Sequence, residues 1–198
     1  MSRVGGTCFI ASKLGGVKPP PRFGRLTVSE NMFKKEIFVG FAIGFLLCFI
    51  FANAFLVSPV FSPENGGEII GFINSAVFSV DAEVYAFSSW DVAHALVNAE
   101  KRGVNVRVIV DGSTVDDKTM ALLQYLKNNG VEVRLANYYQ RTHAKFIIVD
   151  GVRVFIGSHN FSNSALYYNR EASAVLNFLR FWDFGRTFEE DWAKAKAF

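Results

Sequence analysis

The chain has 198 residues, of which 51% are hydrophobic and 20% are charged, and its formal net charge is +3. This composition excludes a disordered chain and fits one folded domain of ordinary size preceded by a leader. Both cysteines, Cys8 and Cys48, precede that domain, which excludes a disulfide framework or a thiolate metal site within it.

Residues 1–36 form a basic leader with seven Lys/Arg and two acidic residues. Residues 37–57 follow without a single charge, and a run of that length can cross a bilayer as a helix. The same run fits the apolar core of a signal peptide, because Ala52-Asn53-Ala54 has the form of a signal-peptidase site. The sequence therefore leaves two alternatives open, a retained membrane anchor and a secreted domain cleaved near Ala54.

The basic residues that precede the apolar run predict an N-terminus in the cytoplasm and a domain outside it. Met32 opens a conventional leader, so residues 1–31 are a candidate for a start codon assigned too early. After residue 54 the chain holds 14 basic and 16 acidic residues. The folded part is thus nearly neutral, and its net charge lends no support to nucleic-acid binding.

The Pro, Ser and Asn content of residues 58–65 predicts a linker, and residues 66–198 have the pattern of an α/β domain. Apolar spacing predicts, in chain order, helix 66–78, strand 82–87, helix 91–102, strand 104–110, helix 117–129, strand 131–135, strands 145–149 and 153–156 joined by a hairpin at Asp150-Gly151, strand 171–177 and helix 181–196. This order predicts a mixed β-sheet sandwiched by helices.

Residues 142–160 read THAKFIIVDGVRVFIGSHN and contain the side chains best suited to phosphate chemistry. Strand alternation puts His143 and Lys145 on one face, where an imidazole beside an ammonium group can bind and attack a phosphate. The pattern H-x-K-x4-D-x6-G-S-x-N resembles the signature of the phospholipase D superfamily and matches it at every position. Glu171 resembles the acid on the family's downstream strand. The resemblance covers roughly residues 61–198 and implies the phospholipase D-like fold.

The resemblance also implies a role for the matched residues. His143 would be the nucleophile that forms a phosphohistidine intermediate. Lys145 and Asn160 would bind the non-bridging phosphate oxygens as charge develops. Glu171 would accept a hydrogen bond from the histidine ring and orient it.

Three further residues belong to the predicted site. Ser158 is expected to hydrogen-bond phosphate, and Arg141, which flanks the motif, to widen the phosphate-binding surface. Asp150, although part of the motif, is expected to shape the hairpin rather than to carry a proton. No metal and no cofactor is expected, because lysine and amide donors take the place of a metal ion.

Members of the family use two copies of the motif around one cleft, and this chain has one. Neither His94 nor His159 is followed two residues later by lysine. A single copy implies a homodimer in which each protomer supplies half of the active site. The second protomer's motif would then protonate the leaving oxygen and activate water.

Three functions remain open. A nuclease, an endonuclease on DNA or RNA, is favoured because small single-motif members resemble the Nuc-type endonucleases and the mitochondrial phospholipase-like nucleases. A phospholipase D-type hydrolase of membrane phospholipids is favoured by the apolar segment next to the domain. A non-catalytic, membrane-tethered phosphate-binding module is disfavoured, because binding alone needs no nucleophile. The near-neutral domain weighs against the nuclease, which we nevertheless prefer.

Overall fold

The structure is a computed structural model that describes residues 30–177 and 181–198. Helix α1 spans Glu30–Leu56, and its side chains from residue 33 to residue 49 are all exposed. Among the described residues, no helix combines the length and hydropathy of a membrane span. The predicted leader before residue 30 lies outside the described residues, and so do the side chains of the motif Ala52-Asn53-Ala54.

Residues Phe45–Phe198 form one compact unit. Its strands are β1 (Val57–Phe61), β2 (Ser79–Val84), β3 (Asn105–Asp111), β4 (Glu132–Ala136), β5 (Lys145–Val149), β6 (Arg153–Gly157), β7 (Ala172–Asn177) and β8 (Lys196–Ala197). Its helices after α1 are α2 (Glu68–Asn74), α3 (Trp90–Lys101), α4 (Asp117–Asn128), α5 (Asn163–Tyr167) and α6 (Phe181–Lys194), with a 3-10 turn at Gly112–Thr114.

The strands form a single mixed sheet in the order β1-β7-β6-β5-β2-β3-β4-β8. The β2–β3 and β3–β4 pairs are parallel, and the other pairs are antiparallel. Both faces of the sheet are apolar. On β5, Ile147 and Val149 pack in the core beneath α2–α5, whereas Phe146 and Ile148 pack beneath α6. The predicted mixed sheet between helices is confirmed.

Local signals fix the long helices. The Ser89 hydroxyl accepts a hydrogen bond from the Val92 N–H at 3.5 Å and caps α3. The Asp116 carboxylate caps α4 by accepting from the Thr119 N–H at 2.8 Å. Gly103 ends the first of these helices in a left-handed conformation with φ +87°, which residues with a side chain rarely adopt. These helix boundaries follow the sequence closely.

Strand β2 begins and ends three residues earlier than predicted. The backbone after Val84 is used elsewhere: the Tyr85 carbonyl accepts from Thr114 Oγ1 at 2.7 Å, and the Ala86 carbonyl accepts from the Phe161 N–H at 3.0 Å. Apolar alternation alone does not reveal this competition for hydrogen bonds. As a consequence, the ring of Tyr85 lies beyond the sheet.

The predicted linker over residues 58–65 overlaps a strand in its first half. Residues Val57–Phe61 form the edge strand β1, antiparallel to β7, with Pro59 opposite Ala174. Proline is tolerated at such an edge, where its missing N–H breaks no ladder, and Val60 is fully buried. The short elements α5 and β8 were also not predicted.

The hairpin between β5 and β6 is tied to the start of β2. Asp150 and Gly151 both have positive φ, +54° and +65°, as a tight hairpin turn requires. The Asp150 carboxylate accepts hydrogen bonds from three successive backbone N–H groups, those of Val77 at 3.0 Å, Phe78 at 2.7 Å and Ser79 at 3.1 Å. One side chain therefore joins two separate parts of the sheet.

A buried carboxylate lies beneath α6. Glu83, on β2, is 2% exposed, and its Oε2 has no hydrogen-bond partner among the described residues. The pKa of Glu83 is raised to about 7, mainly because burial disfavours the charged form; the nearby Asp191 carboxylate acts in the same direction, and the Lys194 ammonium opposes them. Glu83 therefore favours its neutral form in the folded chain below about pH 7.

Replacing Asp150 by alanine should destabilise the fold by about 2–3 kcal/mol, because three backbone donors lose their acceptor. Urea unfolding of the full chain measures the effect. Asp150→Asn is the matched control: it keeps one acceptor oxygen and tolerates the left-handed backbone, so it should lose clearly less. Equal losses in the two variants would contradict the anchoring role of the carboxylate.

Replacing Glu83 by glutamine should stabilise the chain at pH 8 by up to about 3 kcal/mol and change little below pH 4.5. The pKa of Glu83 is raised in the folded state, so the wild type has its full stability from this group below the unfolded pKa. It loses that stability as pH rises through about 7. Urea unfolding at several pH values tests this, with the exposed Glu132→Gln as control. A difference in unfolding free energy between Glu83→Gln and the wild type that does not vary with pH would contradict the prediction.

Candidate active site

Strands β2 and β6 end, and strands β5 and β7 begin, at one end of the sheet. In the register of the sheet, Val84 at the end of β2 lies opposite Lys145 at the start of β5, and Gly157 at the end of β6 lies opposite Ser173 near the start of β7. Polar or aromatic residues at or beside these strand ends are Tyr85, Asp111, His143, Ser158 and Glu171. The topology thus gathers side chains that are far apart in sequence.

The two motif residues predicted on one face are in contact. His143 is exposed in the loop before β5, and Lys145, the first residue of that strand, is only 8% exposed. The Lys145 Nζ lies 3.3 Å from His143 Nδ1 and donates to the His143 carbonyl oxygen at 2.8 Å. An accessible imidazole is thus held beside a shielded ammonium group.

Lys145 is charged in an environment that disfavours charge. Desolvation lowers its pKa, and the negative charge of Glu171 acts in the opposite direction. The Lys145 ammonium also lies 5.2 Å from the centre of the Tyr85 ring, within range of a cation–π attraction. An anion entering here would gain a strongly attracting, poorly hydrated partner.

Tyr85 is a site residue that sequence reasoning missed. Its ring centre lies 4.4 Å from that of His143, with the planes inclined by 52°. This contact limits the rotation of the imidazole within a single chain. The available signal was its position within the predicted strand over residues 82–87, close to the end of that strand.

Asp111 fixes the backbone that leads to His143. Its carboxylate is 2% exposed, accepts a hydrogen bond from the Thr142 N–H, and accepts a second one from the Ser113 N–H at 2.8 Å. Because His143 lies outside any strand, this anchor replaces the ladder that would otherwise hold it. In the sequence, Asp111-Gly112 indicated only the end of a strand.

Glu171 and Ser158, which lie beside β7 and β6, contact each other. Glu171 Oε2 accepts from the Ser158 hydroxyl at 2.5 Å, and Oε1 accepts from Asn169 Nδ2 at 3.2 Å. The contacts of the described residues include no hydrogen bond between Glu171 and His143. Within one chain, the Glu171 carboxylate therefore orients the Ser158 hydroxyl, and the roles predicted for Glu171 at the histidine ring and for Ser158 at phosphate stay predictions.

Asn160 and its neighbour His159 differ in what they can do. Asn160 Oδ1 is buried and has no hydrogen-bond partner in the described part of the chain. His159 is fully buried, with Nδ1 2.6 Å from Ser173 Oγ. Burial lowers the pKa of His159, with Glu171 opposing. A neutral, enclosed His159 supports the wall of the site.

The two remaining residues of the predicted site, Arg141 and Asp150, lie in different places: one beside His143 and one far from it. Arg141 is exposed, two residues before His143, and has no ion pair among the described contacts. Asp150 lies at the opposite end of β5 from Lys145, about 17 Å away along the strand, and thus outside the site. In the described residues, no group of three or more His, Cys, Asp or Glu side chains is arranged to hold a metal ion.

The arrangement combines a nucleophile with groups that bind anions. His143 offers an accessible imidazole, and Lys145 a positive charge next to it. Such a set can bind the oxygens of a phosphate while a ring nitrogen approaches the phosphorus.

The sequence of the chain matches one family model and is similar to several known proteins. The family model described as "Cardiolipin synthase, PLD-like domain" matches residues 69–192. "Phospholipase D" of Rickettsia conorii is 29% identical over 143 residues, which make up 71% of this chain and 70% of that protein. "Mitochondrial cardiolipin hydrolase" of Drosophila melanogaster is 37% identical over 90 residues, which make up 46% of this chain and 35% of that protein.

A solved structure shares the architecture. The phospholipase D family member Nuc from Salmonella typhimurium matches with a TM-score of 0.69 at 30% sequence identity, over 72% of this chain and 97% of that one. The likeness therefore extends over nearly the whole of that protein.

Proposed function

The chain belongs to the phospholipase D superfamily of phosphodiesterases, and we propose that it is a metal-independent endonuclease acting on DNA or RNA. The observation that carries the proposal is the exposed imidazole of His143 beside the shielded ammonium of Lys145, 3.3 Å from Nζ to Nδ1. A structural histidine needs neither the exposure nor the neighbouring charge.

The proposed reaction has two steps: His143 first takes up the phosphoryl group, and water then removes it. A ring nitrogen of His143 attacks phosphorus, a nitrogen–phosphorus bond forms, and the bond from phosphorus to the leaving oxygen breaks. A second histidine gives its proton to that oxygen. In the second step this second histidine, now deprotonated, takes a proton from water. The resulting hydroxide attacks phosphorus and displaces His143.

Negative charge on the phosphoryl oxygens grows in both steps. Lys145 would stabilise it most, because a partly desolvated ammonium interacts more strongly than one in water. The amino group of the Asn160 side chain would donate a further hydrogen bond, the role that the family signature implies for this residue. Tyr85 and Asp111 would act as positioning residues, through their contacts with the His143 ring and the Thr142 N–H.

The second histidine is the reason for proposing a homodimer. The chain has three histidines: His143, the buried His159, and His94 on the helix α3. Neither His94 nor His159 carries the motif, so a symmetry-related His143 is the remaining source of the leaving-group proton. A dimer would also double the cations that face the phosphodiester.

A nuclease and a phospholipase are both supported by specific observations. The single-motif form and the match to 97% of Nuc favour the nuclease. The names of the relatives in Rickettsia and Drosophila, together with the exposed apolar side chains of α1, favour a phospholipid substrate. Location outside the cytoplasm, inferred from the basic leader, remains a prediction.

Replacing His143 by alanine should reduce phosphodiester cleavage at least about a thousandfold, because the nucleophile is lost. The full chain is offered single-stranded DNA, plasmid, RNA and phosphatidylcholine vesicles in the presence of EDTA. Release of cleaved nucleic acid by the wild type supports the nuclease. Release of lipid head groups alone would reject it, and binding of inorganic phosphate without any turnover would indicate a binding module.

The matched control is His94→Ala, which removes an exposed histidine from the surface of α3. It should retain full cleavage. Loss of activity in this variant as large as in His143→Ala would contradict the assignment of the nucleophile.

A heterodimer of one wild-type and one His143→Ala chain should retain less than about 1% of wild-type activity, because each shared centre needs two histidines. Two different affinity tags on co-expressed chains allow the mixed species to be purified. Its turnover is compared with that of a doubly tagged wild-type dimer. Retention of half the activity would show that each protomer works alone and would reject the shared site.

A further inference from the structure

The loop before His143 carries an exposed aromatic residue and one cation. Tyr139, Gln140 and Arg141 line an open hollow of about 620 Å³. Arg141 lies two residues before His143, so their Cα atoms are at most about 7 Å apart. The hollow is therefore next to the proposed nucleophile.

The Tyr139 ring is exposed but held in place. It is 55% exposed, and its centre lies 4.7 Å from the ring of Tyr138 in an edge-to-face contact. The Tyr138 ring packs against the core beneath α6, and its hydroxyl is buried. An exposed aromatic ring fixed by a buried neighbour loses little entropy when a flat ligand stacks on it.

Lys194, on α6, contacts the same ring. Its Nζ lies 5.5 Å from the centre of the Tyr139 ring and donates to the Tyr139 hydroxyl at 3.4 Å. The hydrogen bond with Tyr139 raises the pKa of Lys194, and the ion pair with Asp191 at 3.4 Å acts in the same direction. A positive charge, paired on one side with Asp191, thus lies beside the exposed ring.

We propose that Tyr139, Arg141 and Lys194, called here the tyrosine rim, bind a single-stranded segment of DNA or RNA beside His143. A base stacks on Tyr139, and the flanking phosphates contact Arg141 and Lys194. Stacking platforms edged by cations bind single strands with little sequence preference. The inference rests on the proposed nuclease function and gives it a substrate class, single-stranded nucleic acid.

The chemistry of the hollow favours a nucleic acid over a lipid. Its lining consists of an aromatic ring, an amide and a guanidinium group, with no aliphatic side chain to accommodate an acyl chain. A phosphodiester lipid would use the positive charge of Arg141 but leave the Tyr139 ring without a partner. A nucleotide uses both.

The test compares a polymer with a small diester in the same protein. Tyr139→Ala should reduce cleavage of a single-stranded oligonucleotide about tenfold more than it reduces hydrolysis of bis(p-nitrophenyl) phosphate. The loss should lie in KM rather than in kcat, and Tyr139→Phe should restore most of it. Arg141→Gln should lower the slope of log affinity against log salt by about one unit.

The matched control is Phe78→Ala, which removes an aromatic ring that is 75% exposed at the opposite edge of the sheet, beside the β5–β6 hairpin. It should behave as the wild type on both substrates. Binding of a labelled oligonucleotide to the full chain carrying His143→Ala, with and without Tyr139→Ala, reports affinity independently of turnover, and the second change should weaken it about tenfold.

The outcomes separate the rim from the proposed function. A wild type that cuts the oligonucleotide, with Tyr139→Ala cutting it equally well and binding it equally tightly, would overturn the rim and leave the nuclease intact. Turnover of phosphatidylcholine vesicles alone, with no oligonucleotide binding to the His143→Ala chain, would overturn both. Weaker oligonucleotide binding in the Tyr139→Ala chain supports the rim even where turnover is too slow to measure.

Discussion

The desolvated charge of Lys145 is the constraint on which the site depends. Lys145 as a whole residue is only 8% exposed, and desolvation of its ammonium group lowers its pKa, a cost that groups placed around it offset. The His143 carbonyl accepts a hydrogen bond from it, the Tyr85 ring lies 5.2 Å away, and Glu171 supplies the opposite charge. Each of these partners is itself a part of the site. The contacts that offset the burial of Lys145 therefore also hold the other site residues in place.

Sheet topology makes that arrangement attainable. The lysine is the first residue of β5, and the antiparallel pairing of β5 with β2 brings Tyr85 alongside it. The hairpin then returns β6 and β7 to the same edge, which delivers Ser158 and Glu171. Alternating apolar residues on β5 and the Asp150-Gly151 turn are both local signals. The contact between His143 and Lys145, and the mixed sheet around them, could therefore be predicted from the sequence.

What could not be predicted depends on competition between distant groups. Tyr85 leaves the sheet because Thr114 takes its carbonyl, and Glu171 turns to Ser158 and Asn169 rather than to His143. The spacing of residues along the chain does not show which hydrogen-bond partner Tyr85 or Glu171 has in the folded protein. Asp150 shows the converse: it matches the family signature in register with His143, yet its three backbone hydrogen bonds make it a structural anchor at the other edge.

Net charge is a poor guide to what this domain binds, because the charges are unevenly compensated. Arg107 is paired with Asp81 at 2.7 Å and with Glu189 at 2.6 Å, so acidic residues cancel a cation far from the site. Near the nucleophile, Lys145 contacts a carbonyl and a ring and makes no ion pair shorter than 4 Å among the described contacts, although the charge of Glu171 acts on it, and Arg141 has no ion pair there either. An anionic polymer responds to the uncompensated charges within a Debye length of its phosphates, not to the sum over the chain. A nearly neutral domain can therefore present a positive edge where its chemistry requires one.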